Sequence, residues 1–190
     1  TSGEVTATVT SAAASVLNGL TTASTDAITM TVNAEAASAA TQASDLVSLN
    51  GKTNQVITMT AVTKVSGSYA DLLNVYVTNA GQYNGEGDEA VTITGTVTAT
   101  QADAIADVTS GVVTATINAD TAAALNSALS DAQVNAYTLT ISAGSVAATD
   151  LTSLDSKTSV AVNAANVTTV TGSATEVAVA YAANTAGTIT

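Results

Sequence analysis

The residues with the clearest chemical potential lie in one short acidic segment, Asn84-Gly85-Glu86-Gly87-Asp88-Glu89. Its carboxylates come from Glu86, Asp88 and Glu89, and its two glycines allow backbone carbonyls to approach a ligand closely. Because Ca²⁺ takes about six to eight oxygen ligands, this residue set predicts a calcium site. The alternative is a solvated turn before the next strand, since Gly-rich calcium turns of β-rolls come in tandem and this segment occurs once.

The remaining sequence offers little for catalysis. It has no His and no Cys, and its three basic residues are Lys52, Lys64 and Lys157. The common nucleophile–base pairs therefore cannot form. A carboxylate-flanked sugar cleft usually needs aromatic side chains, and the five Tyr are the only ones. We expect a protein that is not an enzyme.

Charge and hydropathy limit the partners. The net charge is −12, which opposes binding to nucleic acid and to anionic membrane surfaces. No apolar run reaches the roughly 18 residues that a membrane-spanning helix needs, so we expect no membrane insertion. The low charge content, the many Thr and Ser residues and the absence of Cys favour an extracellular or cell-surface location on a bacterium.

The elements that would position any site come from an internal repeat. Residues 43–76 are echoed by residues 148–181, 105 positions later, so that Asp45, Lys52 and Tyr76 match Asp150, Lys157 and Tyr181. A fixed offset indicates a repeat architecture, in which recurring residues serve the framework and not a unique site. Val9-Thr10 matches Val97-Thr98 at an offset of 88. We therefore expect one repeat domain over 1–190, with super-repeats of about 1–88 and about 89–190.

Short alternations of Thr with apolar residues predict strands with Thr on the open face. They lie near residues 5–9, 27–32, 56–60, 91–97, 112–117 and 137–141. Leu-rich segments between them predict short helices, and Ser/Thr-x-x-Asp/Glu boxes predict helix starts at Ser68, Thr100 and Ser173. The predicted fold class is α/β or mostly β, a right-handed repeat solenoid of parallel strands joined by short helices or turns. A doubly wound α/β domain is the rival, but its helices are usually longer and less Ala-rich.

Several segments of the chain are rich in Thr, Ala and Val. They are Ala-Thr-Asp-Leu-Thr-Ser-Leu-Asp-Ser-Lys-Thr-Ser-Val-Ala-Val-Asn-Ala at 148–164, Val-Thr-Thr-Val-Thr-Gly-Ser-Ala-Thr-Glu-Val at 167–177 and Val-Thr-Ile-Thr-Gly-Thr-Val-Thr-Ala-Thr-Gln-Ala-Asp-Ala-Ile at 91–105. These phrases resemble the Thr/Ala/Val-rich repeat segments of giant cell-surface proteins of bacteria, in particular of marine cyanobacteria. The resemblance implies a repetitive extracellular protein. It carries no functional residues over, because these phrases are compositional.

The expected partner is the chain itself. The first residues enter a predicted strand almost at once, and the last three, Thr188 to Thr190, begin another, so neither end carries the polar cap typical of monomeric solenoids. Either the sequence is an excerpt of a longer repeat chain, or copies stack head to tail. We expect a structural unit of an extracellular filament or surface layer.

An ice-binding or adhesive Thr-rich stalk of a large surface adhesin is the alternative function. Ice binding by the Thr face predicts thermal hysteresis in solution, and Thr116→Tyr should abolish it because a bulky ring disrupts a flat hydroxyl array. Osmometry on both proteins measures this directly. No hysteresis in the unaltered chain would exclude ice binding, whereas adhesion to glycan or cell surfaces should survive the substitution.

Overall fold

The computed structural model describes residues 3–36, 39–130 and 132–190 as a mixed α/β protein with parallel sheets. The chain divides into two compact units. The first holds Thr1–Thr94 and Val108–Gly111, and the second holds Gly95–Asp107 and Val112–Thr190. The predicted combination of parallel strands and short helices is confirmed at this level.

The first unit contains short strands and helices in alternation. They are β1 (Thr6–Thr8), α1 (Ala14–Leu17), β2 (Ala27–Thr29), β3 (Thr41–Gln42), α2 (Ala43–Asn50), β4 (Ile57–Thr58), β5 (Lys64–Gly67), α3 (Tyr69–Leu73), a π-helical turn (Asn74–Thr78), a 3₁₀ turn (Ala80–Gln82), β6 (Tyr83–Asn84) and the first part of β7 (Ala90–Val97). Strand β1 pairs with β2, β3 with β5, β5 with β7, and β4 with β6, all parallel.

The second unit continues the same alternation after β7. It contains α4 (Ala99–Ala106), β8 (Val113–Ile117), α5 (Ala122–Ala128), β9 (Ala136–Thr138), β10 (Gly144–Ala147), α6 (Ala148–Asp155), β11 (Val167–Thr171) and α7 (Ala174–Ala186). Strand β8 pairs with β9 and β10 with β11, again in parallel. Across the described ranges, none of the helices combines the length and the apolarity needed to cross a membrane.

Paired strands are separated by short stretches of chain. The separation between bridge partners ranges from 20 residues, for Ala12 with Val32, to 27 residues, for Val162 with Ile189. Each stretch leaves one strand, makes a short helix or loop, and returns to pair in parallel beside its starting point. We call one such stretch a coil.

The predicted apolar–Thr alternation is confirmed in the buried core. The apolar residues expected to face inwards are all at most 3 % exposed: Ile28, Met30, Val32, Ile93, Ile117, Leu139 and Ile141. The Thr residues between them, including Thr29, Thr94 and Thr116, lie on the exposed face. Successive side chains of a strand point to opposite faces, so the alternation separates the core from solvent.

Two of the three predicted helix starts are confirmed. The Ser68 hydroxyl accepts from the Asp71 N–H ahead of α3, and Ser173 forms a complete capping box with Glu176 ahead of α7. The prediction at Thr100 is wrong, because the cap of α4 is Thr98, which forms a capping box with Gln101. Thr98 directly follows the extended strand β7, so it is the residue with the extended backbone that an N-cap needs.

Three buried threonines fasten the corners between coils with the same set of hydrogen bonds. Each hydroxyl donates to a backbone carbonyl of the preceding coil at 2.7 Å. The N–H of the residue after each threonine donates, at 2.8 Å, to the carbonyl that lies two residues before the first carbonyl. The hydroxyl bonds join Thr53 to Ile28, Thr109 to Glu89 and Thr158 to Tyr137, and the N–H bonds join Asn54 to Asp26, Ser110 to Gly87 and Ser159 to Asn135. Each hydroxyl oxygen also accepts from the N–H two residues later. We call these residues the corner threonines.

The two halves of the sequence echo share their strand register. Thr41 and Gln42 of β3 pair with Val65 and Ser66 of β5, and the residues 105 positions later, Val146 and Ala147, pair with Val170 and Thr171. The recurring lysines also make equivalent bonds, from the Lys52 ammonium to the Leu20 carbonyl and from the Lys157 ammonium to the Leu129 carbonyl. The recurring residues therefore have equivalent structural roles in the two copies.

Two Thr→Val substitutions should have opposite effects on stability. Thr158→Val removes the partner of the Tyr137 N–H and carbonyl and of the Val160 N–H, so it should cost roughly 2–4 kcal/mol. Thr41→Val is the matched control, because the Thr41 hydroxyl is buried without a partner in the described chain and its repeat counterpart is Val146. It should be neutral or stabilising by up to about 1 kcal/mol.

Urea unfolding followed by circular dichroism measures both changes. Equal destabilisation by the two substitutions would contradict the role given to the corner threonines.

Candidate functional site

The acidic segment 84–89 is a tight loop whose two glycines have left-handed backbone conformations. Gly85 has a φ of 89° and Gly87 a φ of 103°, which other residues rarely adopt. A side chain at Gly85 would also collide with the backbone of Thr60 in the neighbouring coil. The glycines therefore allow the loop to turn and to pack against the coil beside it.

The structure separates the three carboxylates that were predicted to bind calcium. Asp88 is exposed, Glu86 is half-buried and Glu89 is fully buried. Within residues 3–36, 39–130 and 132–190, no three acidic, His or Cys side chains form a group that could hold a metal ion. Calcium binding by Glu86, Asp88 and Glu89 stays a prediction, although the buried position of Glu89 separates its carboxyl from the other two.

Glu89 is held inside by its own loop. Its Oε2 accepts a hydrogen bond of 2.8 Å from the Gly87 N–H, and its backbone carbonyl accepts from the Thr109 hydroxyl. Gly111 packs directly on the Glu89 backbone, where a Cβ atom would overlap it. The corner at 109–111 thus fixes the Glu89 main chain, and the loop fixes one carboxylate oxygen.

The carboxyl group of Glu89 lies close to the hydroxyl of Tyr76. Neither the Tyr76 hydroxyl nor the second Glu89 carboxylate oxygen makes a hydrogen bond of normal geometry within the described chain, although the two groups are close enough to affect each other's pKa. Burial raises the pKa of Glu89 despite the hydrogen bond from Gly87. Burial, and the charge of Glu89 when it is ionised, raise the pKa of Tyr76. Burial therefore disfavours the ionised form of both side chains.

The exposed Thr residues form short rows and not a continuous array. Thr8 lies beside Thr29, and Thr116 lies beside Thr138. In each pair of strands, however, the next Thr in register faces an alanine, as Thr114 faces Ala136. The rows offer hydroxyls to solvent at irregular intervals, which is a weak match to a crystalline lattice.

A second candidate site is the outer face of the last coil, formed by β11 and α7. It contains a cavity of about 190 Å³ lined mostly by apolar side chains, among them Val167, Val170, Ala180 and Tyr181, together with the polar Asn184 and Thr190. Tyr181 is 64 % exposed, whereas its repeat counterpart Tyr76 is 5 % exposed. Val167 and Val170 are half-buried, although their counterparts Val62 and Val65 are buried. We call this surface the terminal face.

The sequence predicted neither the burial of Glu89 nor the exposure of Tyr181, and the reason is the same for both. The echo identified Tyr76 and Tyr181 as equivalent residues, yet it contained nothing about what covers each of them. Likewise, Glu89 was grouped with Glu86 and Asp88 because they are neighbours in sequence. The alternation that continues into Val91 and Ile93 could have indicated that Glu89 lies on the inward side of its strand.

Glu89→Gln should alter how stability depends on pH. A carboxyl whose pKa is raised by folding favours the folded state below its unfolded value of about 4.3, and that stability is lost as the pH rises through the folded pKa. The glutamine cannot ionise, so the variant should exceed the unaltered protein in stability at about pH 7, and the difference should shrink towards about pH 4.

Urea unfolding between these pH values measures the difference. Asp88→Asn is the matched control, because it removes a neighbouring carboxylate that is exposed. A stability difference for Glu89→Gln that stays constant with pH would contradict the buried-carboxyl assignment.

Comparison of the chain with protein-family models, with curated proteins and with solved structures gave no significant match. The features of the chain that bear on its function are the internal echo, the shared register of its two copies and the terminal face.

Proposed function

We propose that this chain is a non-catalytic structural unit of a bacterial extracellular filament or surface layer, in which copies join head to tail. The observation that carries the proposal is the difference between two equivalent tyrosines. Tyr76 is covered by the chain that follows it, whereas Tyr181 is 64 % exposed on the terminal face. A surface that matches a buried layer elsewhere in the same chain is suited to a further layer of the same kind.

The proposed architecture is a right-handed solenoid. Its support is the parallel pairing of strands from successive coils at separations of 20 to 27 residues in both units. Repetition of the corner threonines and of the β3–β5 register in β10–β11 also favours stacked, equivalent coils. In such an architecture each coil contacts only its neighbours, so another coil can be added without altering those already present.

Covering the terminal face would stabilise an assembled state through apolar burial. At roughly 25 cal/mol per Å², covering about 100 Å² of the Tyr181 ring contributes about 2.5 kcal/mol. The valines of the face add to this. The opposing term is repulsion between chains of net charge −12, which salt screens over about 10 Å at 0.1 M.

Assembly should depend on Tyr181. The unaltered chain should form end-to-end polymers that lengthen with protein and salt concentration, and Tyr181→Lys should stay monomeric because it places an ammonium in the apolar interface. Val179→Lys is the matched control, since Val179 is 53 % exposed on the same helix but two residues from Tyr181 and outside the cavity. It should assemble like the unaltered chain.

Sedimentation velocity and negative-stain microscopy measure the polymers, and circular dichroism checks that each variant is folded. An unaltered chain that stays monomeric at all protein and salt concentrations would exclude head-to-tail assembly of separate copies. Equal loss of assembly in both lysine variants would exclude a specific role for the terminal face.

A further inference from the structure

The terminal face includes one edge of strand β11, which is equivalent to an edge of β5 that is paired within the chain. One edge of β11 pairs with β10, in the register that joins β5 to β3. The second edge of β5 is occupied by β7, with Val65 beside Val91 and Ser66 beside Thr92. In the described part of the chain, no strand pairs with the second edge of β11. An unpaired edge presents backbone N–H and carbonyl groups that can accept another strand.

The first coil has the sequence that fits this edge. The strand that covers β5 is β7, and the first coil matches β7 at an offset of 88, with Thr6, Thr8 and Val9 against Thr94, Thr96 and Val97. Strand β1 lies within this match, and among the described residues it pairs on one side only, with β2. The side chains of Val5 and Val16 in the first coil are 38 % and 66 % exposed.

We infer that the occupant of the terminal face is the first coil of a second copy, joined to β11 as a parallel strand. This inference rests on the proposed head-to-tail assembly and specifies its geometry. The register follows from the precedent. Val65 and Ser66 correspond to Val170 and Thr171, and Val91 and Thr92 correspond to Gly3 and Glu4. Thr171 of one copy therefore lies beside Glu4 of the next.

This register continues the parallel pairing β10–β11 into β1 and β2 of the second copy. It places Val5 one residue beyond Glu4, beside Gly172, as Ile93 lies beside Gly67 in the first unit.

Disulfide formation between introduced cysteines tests the register without competing thiols, because the chain contains no Cys. Thr171→Cys and Glu4→Cys are made in separate full-length chains, mixed under assembly conditions and oxidised. Both positions are exposed, and neighbouring strands lie about 4.8 Å apart, within the Cα separations that disulfides allow. We expect a covalent dimer of one chain of each kind.

Val5→Cys mixed with Thr171→Cys is the matched control. A one-residue slip turns a side chain to the opposite face of the strand, so this pair should form dimer roughly tenfold more slowly or not at all. Sedimentation velocity of the same mixtures reports assembly independently of the disulfide.

The outcomes distinguish the inferred strand register from head-to-tail assembly itself. Preferential pairing of Thr171→Cys with Glu4→Cys supports the register. If polymers form but the control pair gives dimer as fast, the register is wrong and head-to-tail assembly remains. If Thr171→Cys pairs mainly with itself, the register is wrong and the contact between copies is symmetric. Absence of both polymers and dimer overturns the inference together with the proposed function.

Discussion

The structure depends on parallel hydrogen bonding between successive coils. This pairing stops at every corner between coils. Where a strand begins or ends, its backbone groups are buried without a strand partner, and an unpaired buried group is costly. Threonine meets this need at three corners, because its short hydroxyl donates to one coil and accepts from its own. Asn135 and Asp26 serve related corners by accepting from the Val113 and Val5 N–H groups. The coils can therefore stack closely with small side chains.

Two buried carboxylates of the described residues show how local donors affect a pKa. Asp26 accepts from the Ala23 and Val5 N–H groups, one on each oxygen, and these bonds lower its pKa. Glu89 accepts from the Gly87 N–H, yet burial raises its pKa. The donors around Asp26 thus favour its charged form, whereas burial of Glu89 favours its neutral form.

The echo in the sequence places the same residue types in two different environments. Val65 and Tyr76 are buried under a following strand and loop, whereas Val170 and Tyr181 form the terminal face. The two residue pairs of β3–β5 recur in β10–β11, which also has a register shift between Gly144 and Ser145. The terminal face thus carries residue types that are buried elsewhere in the chain, and the proposed self-association rests on this difference.

The sequence by itself determined the local structure. Alternation of Thr with Ile, Val and Leu specified strands and their buried faces, because strand side chains alternate between faces. Ser68 and Ser173 specified helix starts, because a hydroxyl three residues before an acidic side chain satisfies first-turn amides. The start at Thr98 was misplaced at Thr100, since two threonines compete and only the end of β7 decides between them.

Only the tertiary structure decided which equivalent residues are covered and which carboxylate points inwards. Glu86, Asp88 and Glu89 are adjacent in sequence, yet the corner at Thr109 and Gly111 fixes the Glu89 backbone so that its side chain enters the core. Tyr76 and Tyr181 are equivalent positions of the echo, but Tyr76 lies in the π-helical turn and is buried, whereas Tyr181 lies in α7 and is exposed. Sequence fixes periodicity along the chain, whereas burial and pKa arise from neighbours distant in sequence.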